Sequence, residues 1–183
     1  MLDGKRRFGT IDQDVAKGVM IMDIEREKIH YRRASIDDIE ILVDFRLRFL
    51  NEMYDHPDDD ESKILRQKLR RYFSQAIPAN DFVAWLAEYD GTTIGTSGMV
   101  IWRIPGRYGG LVTGRLAYIL NMYTIPEARN KGICTKLLHI LTDEARSLGI
   151  KYLHLHASKD GMGIYKKAGF SEPSLVELRL KLE

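Results

Sequence analysis

Hydrophobic positions recur along the chain with two periods, and the switches between them predict its elements. Ile29-His30-Tyr31-Arg32-Arg33 alternates as a strand does. Ile39, Leu42, Val43, Arg46, Leu47, Leu50 and Tyr54 fall at helical spacing. Ser35 or Asp37 can cap that helix by accepting a free backbone N–H. The run from Asp55 to Glu61 interrupts the pattern, and a second helix is expected from about Asp60 to Ala76 along Ile64, Leu65, Lys68, Leu69, Tyr72 and Phe73. Phe82–Glu88 and Ile94–Trp102 read as strands joined at Asp90-Gly91, a pair that tolerates positive φ. A glycine-rich loop follows, then a strand over Leu116–Thr124 that Pro126 ends. Ile133, Leu137, Leu138, Leu141, Ala145 and Leu148 predict a long helix over 130–148, closed by Gly149. Lys151–His156 is expected as a strand, Met162–Ala168 as a short helix and Val176–Leu182 as a last strand.

This order combines hairpins with one strand–helix–strand crossover, so it predicts a mixed sheet in an α+β or α/β domain. The domain is expected over 28–183. Residues 1–27 mix charges of both signs with glycine and lack a sustained apolar period. They read as an arm or leader, held on its own domain or on a partner subunit.

Composition narrows the function classes. The 183 residues suit one domain, and 28 basic against 26 acidic residues leave a net charge of +2. Dedicated nucleic-acid binders carry a larger basic excess. No stretch approaches the ~20 apolar residues of a membrane span, and the N-terminus lacks a signal peptide's apolar core. The expected location is the cytoplasm. The single cysteine, Cys134, forms no internal disulfide and builds no multi-cysteine zinc site. No metal is expected.

The chemistry concentrates between Asn121 and Leu138. A strand ends, a turn follows, and a helix begins around Gly132. Helix-starting N–H groups lack internal partners and carry partial positive charge, which suits a phosphate. Gly132 allows close approach to the backbone. Arg129 and Lys131 add charge, and no acid lies between Glu127 and Asp143. The pattern is neither a Walker loop nor a dinucleotide glycine fingerprint.

The spacing Arg129-x-x-Gly132-x-Cys134 resembles the acyl-CoA-binding signature of the GNAT N-acetyltransferases, Arg/Gln-x-x-Gly-x-Gly/Ala, with a departure at Cys134. A second segment, Ala157-Ser158-Lys159-Asp160-Gly161-Met162-Gly163-Ile164-Tyr165-Lys166-Lys167-Ala168-Gly169-Phe170, resembles that family's segment one strand after the long helix. Many relatives carry Asn where Ser158 stands. The resemblance spans roughly residues 29–182 and implies the GNAT fold: a mixed, mostly antiparallel twisted sheet flanked by helices and splayed at the acyl-CoA cleft.

The resemblance further implies direct transfer of acetyl from acetyl-CoA, the cosubstrate, to a primary amine. The backbone of Met122, Tyr123 and Thr124 would run beside the pantetheine arm. Arg129, Asn130, Lys131, Gly132, Ile133, Cys134 and Thr135 would wrap the pyrophosphate, with Ser158 nearby. Tyr165 would protonate the leaving thiolate. An ungapped match to the histone acetyltransferase branch puts its catalytic glutamate on Tyr118, and tyrosine is a poor base at neutral pH. Asn121, Glu52, Glu88 and Tyr123 are further candidates for handling the amine's proton. The acceptor is unspecified, and a homodimer is compatible with the family. A catalytically silent acyl-CoA-binding sensor is the alternative. His154 and His156, on one strand face, are expected to be structural or to lie on the acceptor side.

Overall fold

In a computed structural model, the structure describes residues 23–56, 59–109, 111–173 and 177–182. Its sheet has five strands in chain order: β1 (His30–Arg33), β2 (Phe82–Tyr89), β3 (Thr92–Arg103), β4 (Arg115–Thr124) and β5 (Leu153–His154). The first four pair antiparallel, and β5 joins β4 in parallel. The parallel pair is bridged by α3 (Ile133–Ser147), as a parallel connection requires. Helices α1 (Ile39–Tyr54) and α2 (Asp60–Ala76) cover one face, and α3 covers the other, followed by the short α4 (Met162–Lys167).

Strand alternation divides the core. Val83, Met99, Ile101, Ala117 and Ile119 point at Leu138, Leu141 and Ala145 of α3. Phe82, Ala84 and Leu86 point at Leu42, Val43 and Leu47 of α1 and at Phe73 and Ala76 of α2. Each of the Val, Leu, Ile, Phe and Met side chains among these contributes about 1.5–3 kcal/mol by leaving water. A third cluster joins Ile24 and Ile29 to Ala87, Ile94, Ile133 and Leu137, so the chain from Asp23 onward already packs on the domain. Most of the arm expected over 1–27 lies outside the described residues.

Local chemistry accounts for the boundaries. Ser35 forms a capping box with Asp38 ahead of α1. Asp55, left-handed at φ 50°, ends α1, and Asp59 caps α2 by accepting the Ser62 N–H at 3.0 Å. Asp38 also accepts two bonds from Arg32 of β1 at 2.7 and 2.8 Å, which ties β1 to the start of α1.

Three expectations change. Helix α3 starts at Ile133 rather than Asn130, because Asn130 and Gly132 are left-handed (φ 63° and 80°). Strand β5 keeps two residues of the six expected, since β4 and β5 diverge after Tyr118↔His154. The last strand does not form over 177–182: Leu178, Leu180 and Leu182 alternate but stand 80–88% exposed. Alternation supplies one apolar face, but β5 is too short to offer a pairing edge. Val176 lies outside the described residues.

Candidate functional site

The site begins at an irregularity in β4. Thr96 pairs with Tyr123 and Gly98 with Leu120, so β4 spends one more residue than β3 between these pairs. The extra residue is absorbed at Asn121, whose φ is 57°. Asparagine tolerates this left-handed backbone better than most side chains. Such a bulge re-aims every later side chain. Before it, Ala117 and Ile119 face α3; after it, Met122 packs toward α3 and Tyr123 turns to Phe45 and Phe49 of α1. Thr96 Oγ1 donates to the Asn121 carbonyl at 3.0 Å. The Asn121 side-chain amide, Ser97 Oγ and Thr124 Oγ1 are buried and find no partner among the described residues.

Beyond Tyr118, no strand among the described residues pairs with β4 on its β5 side. The two strands open as a V, and the backbone of Ile119–Thr124 edges the opening without ladder partners on that side. At the mouth stands the α3 start. Left-handed Asn130 and Gly132 turn the chain so that the first N–H groups of α3 are uncapped by any side chain. Space beside Gly132 is open, since an added Cβ there would meet nothing within 4 Å. A cavity of about 390 Å³ lies between α3 and α4, lined by Thr135, His139, Gly163 and Lys167 among others.

Helix α4 carries Tyr165 to the α3 side of the opening. Its ring packs edge-on against Phe170 with centroids 5.9 Å apart and joins the cluster that also holds Met122. A Cβ on Gly161 would stand 3.1 Å from that ring and 3.2 Å from Ser158 Oγ, so glycine leaves room for both. Ser158 Oγ accepts the Gly161 N–H at 3.1 Å and thereby shapes the turn into α4. Burial pushes the Tyr165 hydroxyl well above the usual phenol range, with the nearby Cys134 thiol adding to it. Burial likewise raises the Cys134 thiol, so it stays protonated at neutral pH despite its place at a helix start.

Arg129 does not project its charge alone. Its guanidinium donates to both Glu52 oxygens at 2.7 Å and to the Thr124 carbonyl at 3.1 Å, and it lies over the Tyr123 ring. Tyr123 also donates to Glu52 at 3.0 Å. The Arg129 bond holds the Glu52 carboxyl below its ordinary range, which makes it a weaker base. Glu88, another candidate base, lies at the far side of the sheet on β2, bound to Arg32 of β1.

On the α1 face, Tyr118 stacks on Trp102 (5.2 Å, 21°) and is hydrogen-bonded to His156 Nδ1. Burial raises its hydroxyl pKa, so Tyr118 keeps its proton at neutral pH. Arg179 reaches His156 Nε2, and Glu177 lies 3.5 Å away. Arg46 of α1 lies over Phe49 and in the electrostatic reach of Tyr118 and Tyr54. The sequence reading missed it as a site residue, although a basic residue inside an apolar stripe was the available signal. Among the described residues, no group of three or more His, Cys, Asp or Glu is placed to hold a metal.

Residues 50–170 match the profile of the Acetyltransferase (GNAT) family, two thirds of the chain. The chain belongs to the GNAT acetyltransferase family. A solved structure, a predicted acetyltransferase of Clostridium acetobutylicum with acetyl-CoA, is 37% identical, with TM-score 0.74, covering 82% of this chain and 96% of that one. A GCN5-related N-acetyltransferase from Ralstonia eutropha JMP134 is similar in fold, at 22% identity and TM-score 0.73, over 83% and 98% of the two chains. An uncharacterized N-acetyltransferase, YjgM, of Escherichia coli K12 is 27% identical over 89 residues. That match spans 47% of this chain and about half of the relative, 49%. The mixed sheet, its bulged β4 and the V beside β5 are this chain's GNAT core.

Proposed function

We propose that the protein transfers the acetyl group of acetyl-CoA directly to the primary amine of an acceptor. The observation that carries this reading is the V between β4 and β5, edged by the bulged strand and opening at the uncapped start of α3. Acetyl-CoA fits its chemistry. The α3 N–H groups and Lys131 suit the pyrophosphate, with Asn130, Gly132, Ile133, Cys134 and Thr135 presenting backbone to it. The pantetheine amides match the unpaired backbone edge at Met122, Tyr123 and Thr124. Arg129 acts through Glu52 and Tyr123 by fixing that edge, and Ser158 acts by shaping the turn that presents Tyr165.

In the proposed reaction the neutral amine nitrogen attacks the thioester carbonyl. A backbone N–H of the bulged edge supports the developing oxyanion. The C–S bond then breaks, and the CoA thiolate takes the phenolic proton of Tyr165. The proton lost by the amine passes to water by way of the Tyr118 hydroxyl on the α1 face of β4. Asn121 sets the bulge and offers its unpartnered amide to the polar groups gathered there.

The test is CoA thiol release from acetyl-CoA across a panel of primary amines. Amine-dependent release supports the transferase. Tight acetyl-CoA binding with no release for any amine makes the domain a silent acyl-CoA sensor.

A further inference from the structure

Arg46 is a cation without an anion. It sits on the sheet-facing side of α1, between buried Phe45 and Leu47. Among the described residues it forms no ion pair and no hydrogen bond; its guanidinium lies over the Phe49 face, the carbon 5.6 Å from the ring centroid. Of the other arginines on these two helices, Arg66 pairs with Asp44 and Arg70 with Glu40 at 2.6 Å; Arg48, over the Phe45 ring, and Arg71 have no ion pair among the described residues, but both are exposed to water, where Arg46 is not. Burial disfavours the Arg46 charge, and the two groups that offset this are the Tyr54 and Tyr118 hydroxyls. A desolvated, unmatched guanidinium costs stability. It lies on the α1 face of β4 within electrostatic reach of Tyr118, which stands three residues before the bulge at Asn121.

A second cation converges on the same place. Arg179 acts electrostatically on Tyr118 and Tyr54 as Arg46 does. It is balanced by Glu177 at 2.9 Å, and His156 completes the ring of groups around the Tyr118 hydroxyl. The charged or titratable groups facing Tyr118 are therefore Arg46 from α1, His156 after β5, and Arg179 and Glu177 from the tail. The cations outnumber the acid by one. Trp102, stacked on Tyr118 and 44% exposed, adds an apolar surface beside these groups. A planar fork of donors is suited to binding a carboxylate or phosphate with two parallel bonds.

We infer that the acceptor is an amine bearing an anionic group, a carboxylate or a phosphate, and that Arg46 binds that group on the α1 face of β4 beside Tyr118. The inference rests on the transferase reading and adds the substrate class. It excludes polyamines and other purely cationic acceptors. It also gives α1 a direct part in specificity: the guanidinium fixes one end of the acceptor, and the amine at the other end is directed to the bulge. Arg46 is a specificity-determining residue in this account, with no role in proton transfer.

The test pairs turnover with stability. Initial rates are measured with matched acceptors: phosphoethanolamine against ethanolamine, and amino acids against their amides. The anionic member of each pair is expected to have a kcat/KM at least tenfold higher, and the pair that responds tells phosphate from carboxylate. Arg46→Met, which keeps the apolar stem, is expected to abolish that preference mainly through KM, while Arg46→Lys restores part of it. Thermal unfolding of ligand-free Arg46→Met is expected to match or exceed wild type, because an unmatched charge has been removed. The inference is overturned if ethanolamine or the amides are the better acceptors, or if Arg46→Met leaves the ratio unchanged. It is also overturned if Arg46→Met unfolds well below wild type, which marks a structural arginine. If no amine is acetylated, the transferase reading fails and the acceptor class falls with it, whereas acetylation with no preference for the anionic member overturns the inference alone.

Discussion

Tyr165 and Cys134 lie together at the opening, and their burial assigns them different tasks. Both hold their protons at neutral pH. For Tyr165 that is the form needed to protonate a thiolate. Tyr165→Phe keeps the ring that packs on Phe170 and removes the proton. Its kcat is expected to fall by about 10²-fold, the low end for a general acid, with the acetyl-CoA KM and the thermal midpoint nearly unchanged. An unaltered kcat would remove Tyr165 from the chemistry. Cys134 has packing neighbours and no base to activate it. Cys134→Ala is a small change in volume, expected to alter the acetyl-CoA KM by less than about threefold. The wild-type thiol should alkylate with iodoacetamide more slowly at pH 7 than a free cysteine.

The two motif residues differ in how legible they were. Gly132 declared itself by type, since its position demands φ 80°. Arg129 announced a charge at a helix start, but its commitment to Glu52 joins positions 77 residues apart. No local pattern reports such a pair. Tyr118 shows the same limit: its partners, Trp102 and His156, come from two other segments.

At the scale of elements, turns and caps carried most of the local information. Ser35, Asp59, Asp90-Gly91 and Gly149 mark the ends the structure shows. The expected start of α3 lies three residues early because Asn130-Lys131-Gly132 holds no apolar position to mark the boundary, and the left-handed turn there delays the helix to Ile133. That turn is testable. Gly132→Ala meets no atom but forces a Cβ into a left-handed backbone at about 1–2 kcal/mol. The midpoint should fall by roughly 2–4 °C per kcal/mol, or the loop should shift and the acetyl-CoA KM rise. A variant unchanged in both would show that the turn is unimportant.

The link from β1 to α1 carries a pH signature. Asp38 is held below the ordinary carboxyl range chiefly by Arg32, with help from Ser35. A depressed carboxyl pKa adds stability above its unfolded value, about 3.9, and that stability is lost as pH falls through the folded value. Asp38→Asn should cost about 2–3 kcal/mol at pH 7, the range for hydrogen bonds to a charged group. The gap from wild type should close in acid, below about pH 4. A gap independent of pH would mean that the charge of Asp38 contributes little.

For the whole molecule, the order of strands and helices was legible because each element buries one face, and the period of that face names the element. The two departures arise where strands lose their partners. β5 stops after two residues as the sheet splays, and the alternating tail from Glu177 to Leu182 is then left without an edge. Splaying is a property of the assembled sheet, driven by a bulge on one strand and the crossover helix of another. It becomes the opening on which the functional reading depends. Net charge misleads at this scale too: a sum of +2 conceals an unmatched Arg46 inside the fold.

Direct transfer within that opening is the central claim, and quenched mass spectrometry measures it most directly. Protein mixed with acetyl-CoA alone should keep its mass. Addition of a competent amine should yield acetylated amine and CoA in equal amounts, still with no acetylated protein during turnover. An acetylated form of the protein that accumulates before the amine is added and decays on its addition would contradict direct transfer.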